Sequence, residues 1–226
     1  NPNIAILSGD VMSILANSFV ARVHPDILPA VLKTFNQTAI EVCEGQMMDM
    51  NFESRESVSV EEYIRMIELK TSVLIAASLK IGALTGGANE KHAHELYEFG
   101  RYLGIAFQLQ DDYLDTYGDT HTFGKKIGND ILTNKKTFLM ISALENSDPE
   151  SLSRLKDWLN REEYDPEEKI HEVREIYNKC RVMDRTSEKI REYFEASIQE
   201  LNRISIPEER KTILRNFSEN LMKREV

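Results

Sequence analysis

Apolar side chains recur along this chain at helical spacing and hardly ever alternate. The pattern predicts helices over about residues 4–20, 26–50, 60–84, 89–119, 133–145, 149–160, 165–200 and 207–224. No segment combines period-two alternation with β-branched enrichment, so strands are not expected. Start signals support several helices: Pro29 in a first turn, Ser59 ahead of Glu61 and Glu62, and Asp148 before Pro149. Gly86 and Gly87 close one helix, and the stretch from Gly118 to Gly128 interrupts the chain after another. The 6 prolines and 10 glycines form no linker, so residues 1–226 read as a single all-α domain. From about residue 146 onward Glu, Lys and Arg become frequent. That region is expected to supply packing and solvated surface, with the chemistry in the middle.

Composition changes this picture little. With 41% hydrophobic and 29% charged residues the chain has an ordinary soluble composition. No apolar run of about 18 residues, the length a membrane span needs, is expected, nor is a secretory leader. Cys43 and Cys180 stand far apart, outside any metal-like spacing, which suits a reducing, cytoplasmic setting. A net charge of −10 argues against nucleic acid. It leaves open a small anionic substrate, which needs only a few placed cations and a metal. His92 and His94 fall on different faces of a helix and make no zinc site. The cluster Met47, Met48 and Met50 reads as core filler.

The segment from Phe107 to Asp115 is the most informative. With Asp111 at zero on a helical wheel, Asp115 falls at about 40°, Gln108 at about 60° and Asp112 at about 100°. Four oxygen-bearing side chains thus share one arc. Gly104 and Gly100 continue that face, which reads as a bare groove with carboxylates at its mouth. Like charges at this spacing destabilise a helix, and a hard divalent cation offsets the repulsion. Oxygen-only ligands favour Mg²⁺, which keeps several waters and bridges to phosphates.

Cations answer the acids. Tyr63, Met66, Ile67, Leu74, Ala77 and Ile81 form an apolar stripe, and Lys70 falls near its middle, with Thr71 beside it. An inward lysine is costly unless it is paired or faces a polar cavity. Downstream, Gly124 precedes Lys125, and Lys135 and Lys136 lie near a helix start. No P-loop pattern occurs. Acids and lysines together describe a metal-bridged diphosphate site.

These residues resemble the trans-isoprenyl diphosphate synthases, the farnesyl and geranylgeranyl diphosphate synthases. The matching segments are Ala5 to Asp10, Glu44-Gly-Gln46 with Asp49, Lys70-Thr71, Phe107-Gln108 with Asp111-Asp-Tyr-Leu-Asp115, Gly124-Lys125, Gly128 with Asp130, and Lys135 with Thr137. They follow family order over nearly the whole chain. The resemblance implies an isoprenoid synthase-type helical bundle around a central cavity, usually as a homodimer. It implies that Asp111 ligates Mg²⁺, with Asp112 and Asp115 supporting the cluster directly or through water. Lys70, Lys125 and Lys135 would hold the allylic diphosphate, with Thr71 and Gln108 as polar neighbours; Asp111, Lys70 and Lys125 would be catalytic. The implied reaction is Mg-assisted ionisation of an allylic diphosphate and condensation with isopentenyl diphosphate. One departure stands out. The family's first aspartate-rich motif and paired arginines are not among these residues, and Asp26, Asp49 and Asp130 read as too isolated to replace them. The amino-terminal helices are therefore expected to be absent from this sequence. The alternatives are a noncatalytic partner subunit and a class I terpene cyclase.

Overall fold

Gly45, Gly100 and Gly104 decide how the central helices meet. In the computed structural model, which describes residues 1–118 and 127–223, a Cβ on Gly45 would lie 2.3 Å from the Lys70 backbone nitrogen. One on Gly104 would lie 2.6 Å from Ser72 Cα, and one on Gly100 2.8 Å from Ala76 Cα. Only a bare Cα permits such approach. The glycine face of the acidic helix is therefore packed against its neighbour; it is not the groove expected from the sequence.

The elements in chain order are α1 (Pro2–Val20), α2 (Leu28–Ser54), α3 (Val60–Ile67), a π-helical turn (Glu68–Ser72), α4 (Val73–Thr85), α5 (Glu90–Tyr117), α6 (Asn129–Leu132), α7 (Phe138–Asn146), α8 (Pro149–Asn160), α9 (Pro166–Lys179), α10 (Val182–Arg203) and α11 (Glu208–Met222). No strand occurs among the described residues. Helix α5 is the central element, flanked chiefly by α10 and α4. Local signals set the boundaries. Ser59 and Glu62 form a reciprocal capping box at α3. Asn89, Thr137, Asp148 and Asp165 cap α5, α7, α8 and α9.

Three expectations need correction. The continuous helix read over 165–200 breaks at Cys180–Arg181, where Arg181 adopts φ +55. No Gly or Pro marks that break. Met47 and Met50 are exposed, and only Met48 packs against a core cluster. Helix α1 is, by length and composition, apolar enough to cross a membrane, with a mean hydropathy of 1.4. None of its residues is buried, and Ile4, Leu7, Val11, Ile14 and Phe19 are among its exposed apolar side chains.

Candidate diphosphate and metal site

The π turn is the local feature that builds the site. It lies between two glycines, Gly45 of α2 on one side and Gly104 of α5 on the other. Widening the helix by one residue per turn re-aims the side chains of Lys70 and Thr71. Lys70 Nζ reaches Asp49 Oδ2 of α2 at 2.6 Å, and Thr71 Oγ1 donates to Gln108 Oε1 of α5 at 3.0 Å. The turn shifts the register of the apolar stripe read across this region: Tyr63, Met66, Ile67 and Ala77 are buried and Ile81 packs on a core cluster, whereas Leu74 is 57% exposed.

From Gln108 the polar path continues. Its Nε2 donates to Asp112 Oδ1 at 3.1 Å, and the Tyr63 hydroxyl donates to Asp112 Oδ2 at 2.5 Å. Lys135 Nζ lies 3.6 Å from Asp112 Oδ1 and 3.3 Å from Asp130 Oδ1. Asp130 is in turn tied to the acidic helix, because its backbone N–H donates to Asp115 Oδ2 at 2.9 Å. The N–H of Gly128, at φ +85, donates to the Asp115 carbonyl at 2.6 Å. A side chain there would be strained and would also strike Ile170, so glycine is required. Asp49 and Lys135 line one cavity of about 740 Å³ between the end of α2 and the α6–α8 region.

Burial dominates the electrostatics. Asp112 is 2% exposed, and desolvation pushes its carboxyl up to about 6, while Lys135 pulls the other way. Burial raises Asp115 and Asp130 as well, opposed in each case by Lys135. Burial would lower the Lys135 ammonium, but Asp112 and Asp130 outweigh it, and the group ends above its ordinary value. Tyr63 is raised well above the usual phenol range, by burial and then by Asp112, so it stays a hydrogen-bond donor.

The three aspartates therefore differ. Asp112 has both oxygens engaged by protein donors and sits inside the wall. Asp111 is partly exposed, and Asp115 keeps one oxygen beyond its bond to the Asp130 backbone. Among the described residues no three acidic or His/Cys side chains converge as a ready-made metal cage. The donor set still fits a hard cation. Asp111 and Asp115 carry carboxylates one helical turn apart, and Asp112, Asp130 and Asp49 add negative charge that Lys70 and Lys135 do not fully balance. Mg²⁺ commonly uses one or two carboxylates and completes its shell with water and phosphate.

Of the residues expected from the sequence, Thr71, Gln108, Asp112 and Lys135 form one connected path, and Asp115 joins it through Asp130. Lys70 pairs with Asp49, and Asp111 lies on the same helix as Gln108, Asp112 and Asp115. Lys125 and Gly124 lie outside the described residues. Sequence reasoning assigns no role at the site to three further participants. Tyr63 read as stripe, and its hydroxyl was the only clue. Asp49 and Asp130 figure in the resemblance but read as too isolated to replace the first aspartate-rich motif; here Asp49 pairs with Lys70, and Asp130 with Lys135 and Asp115.

A helical bundle with this acid-and-lysine constellation belongs to the class of isoprenoid synthases, and comparison with known proteins agrees. The profile of the polyprenyl synthetase family matches residues 1–179, and the chain belongs to that family. It is 42% identical over 143 residues to a geranylgeranyl diphosphate synthase of Methanosarcina mazei, covering 62% of this chain and 44% of that protein. It is 40% identical over 174 residues to a short chain isoprenyl diphosphate synthase of Methanocaldococcus jannaschii, covering 76% and 53%. The crystal structure of a geranylgeranyl pyrophosphate synthetase from Pyrococcus horikoshii superposes with a TM-score of 0.90 at 32% identity, covering 99% of this chain and 68% of that one. Another geranylgeranyl pyrophosphate synthase structure gives 0.91 at 40% identity, covering 99% and 69%. The chain thus spans about half the length of the curated relatives it matches.

Proposed function

We propose that this chain carries the allylic-diphosphate side of a Mg²⁺-dependent trans-prenyltransferase that condenses an allylic diphosphate with isopentenyl diphosphate. The observation that carries this reading is the polar path from Asp49 and Lys70 on one side, and from Thr71 through Gln108, Asp112 and Tyr63 to Lys135 and Asp130 on the other. Asp111 and Asp115 would hold Mg²⁺, and when bound it would supply Lewis-acid stabilisation of the departing diphosphate. Asp112 acts as a buried orienting group.

The residues divide the remaining work. Lys70 and Lys135, with Lys125 assigned from sequence, place ammonium groups against the diphosphate oxygens. As the allylic C–O bond breaks, its electron pair leaves with the diphosphate, and these fixed positive groups stabilise the developing charge. The double bond of isopentenyl diphosphate then joins the allylic carbocation, and transfer of one proton from the new cation to the released diphosphate restores neutrality at carbon. Thr71 and Gln108 link the Lys70 turn to the acidic helix, so both walls keep their spacing.

The protein at full natural length, incubated with Mg²⁺, labelled isopentenyl diphosphate and separate allylic primers, tests the reading. Elongated diphosphates support it. Hydrocarbon or alcohol would indicate a cyclase, and no turnover without a partner chain would indicate a noncatalytic subunit. The 226 residues contain a single Asp-Asp pair, Asp111-Asp112. Alone they are expected to bind Mg²⁺ and inorganic diphosphate without condensing, because neutralisation comes from one side only. In this reading the protein is a homodimer in which α1 covers its apolar side chains with a second copy; a monomer in sedimentation would remove that part.

A further inference from the structure

Lys169 is a buried lysine for which the proposed chemistry has no use. It belongs to the inward face of α9 with Val173, Ile176 and Tyr177, and it is 0% exposed. Among the described residues no carboxylate pairs with it. Its Nζ donates instead to Asn134 Oδ1 at 2.8 Å, lies 3.5 Å from the Leu132 carbonyl, and stands 4.2 Å from the centre of the Tyr164 ring. Burial pushes its ammonium below the ordinary value, as expected without an anion. A methionine would fill an apolar stripe at less cost, so packing alone does not explain the residue.

Both oxygens that Lys169 Nζ reaches belong to the turn that presents Lys135. Asn134 immediately precedes Lys135 and adopts φ +53, a conformation that asparagine tolerates better than other non-glycine residues. Its Nδ2 donates to the Leu159 carbonyl at 3.0 Å, which fastens the turn to α8. The Tyr164 hydroxyl donates to the Leu132 carbonyl at 3.1 Å. Beyond the turn, the Lys135 N–H returns to the Asp130 carbonyl at 3.0 Å.

We propose that Lys169, Asn134 and Tyr164 form a clamp from the carboxy-terminal helices that fixes the backbone of Lys135, making Lys169 a positioning residue for diphosphate capture. The inference rests on the reading of Lys135 as a diphosphate ligand. A mobile Lys135 would lose rotamer and backbone entropy on binding each anion; the clamp removes that cost beforehand.

The experiment titrates inorganic diphosphate calorimetrically, with Mg²⁺ present, into the wild-type full-length protein and into Lys169→Met, Asn134→Gly, their double variant and Lys135→Met. Lys169→Met is expected to weaken affinity about tenfold, in the range seen when a partner behind a binding group is removed, with unchanged or higher Tm. Asn134→Gly, which suits the positive φ, is expected to lose a similar factor. The double variant should lose no more than either single, since the two act as one unit. If Lys135→Met binds diphosphate as well as wild type, the reading beneath the inference fails. If Lys135→Met loses affinity while Asn134→Gly and Lys169→Met match wild type, the clamp alone is overturned. Should Lys169→Met not fold, wild-type affinity in Asn134→Gly is sufficient to reject it.

Discussion

Asp112 and Asp148 are both aspartates at helix positions, and the protein treats them in opposite ways. Asp112, in the body of α5, is buried and held up to about 6. Asp148 caps α8 in the open, where the Ser151 backbone N–H and the Lys179 ammonium hold it down to about 2. The same contrast separates the two regions. Around α5 and α6, carboxylates gather with Lys135 at a cost to the fold, in an arrangement whose excess charge calls for a ligand. Along α8 to α10, acidic groups serve caps and surface pairs such as Arg154–Glu172 and Lys189–Glu192. The acidic groups of the second region obey local rules of stability and those of the first break them, as expected where a site is built.

The largest expected effect lies in the strained region. Asp111→Ala in the full-length protein should lower turnover by roughly 10²-fold or more, the range for losing one preorganised electrostatic contributor. Its fold should hold, since Asp111 is only partly buried. Near-normal turnover with saturating Mg²⁺ would remove the metal-ligand role and weaken the contrast itself.

Lys70 offers a smaller effect of a different kind. Its ion pair with Asp49 is partly open to water, with the two side chains 35% and 21% exposed, so it adds little stability. Lys70→Met should leave Tm nearly unchanged and reduce affinity for inorganic diphosphate by about tenfold, as for loss of one charge-assisted hydrogen bond. Asp49→Asn should do the reverse and raise affinity, because it frees the ammonium and removes a repelling charge. Equal calorimetric affinities for wild type and Lys70→Met would return Lys70 to a structural role.

The difference between the regions also explains what the sequence disclosed. Helix α8 was legible end to end, because Asp148, Pro149 and the apolar spacing agree. So were the existence of α2, α3 and α5, and the set of polar residues on α5. The π turn at Glu68–Ser72 was not legible: it packs against two glycines, 25 and 34 residues from Lys70, on separate helices. Nor was the burial of Tyr63 against Asp112, 49 residues away. The bare Gly100 and Gly104 face was read as a cavity, since a wheel cannot tell an empty face from a close helix contact. The apolar pattern of α1 gave its helix but not its exposure, because burial depends on what lies alongside. Local chemistry is written locally; a site assembled across the bundle is written in partners the sequence separates.

The smallest expected effect tests the other member of the comparison. Asp148 accepts from the Ser151 N–H at 2.9 Å and from the Ser151 hydroxyl at 3.1 Å, and Lys179 Nζ lies 3.0 Å away. These donors favour the ionised carboxylate in the fold, so its pKa there lies below the unfolded value of about 3.9. The sign follows. The contribution is fully present above the unfolded pKa and is lost as pH falls through the folded one, over a window from about 4 down to about 2. Asparagine caps a helix about as well as aspartate but carries no charge. Asp148→Asn should therefore lie a few degrees below wild type in Tm at pH 7, and the gap should close as the pH is lowered to 2. Other carboxylates titrate in both proteins, so the difference between the two curves isolates this one. A gap that stays constant from pH 7 to 2 would show that the charge of Asp148 does not stabilise the cap. The carboxy-terminal region would then lose its clearest case of an acid working for the fold.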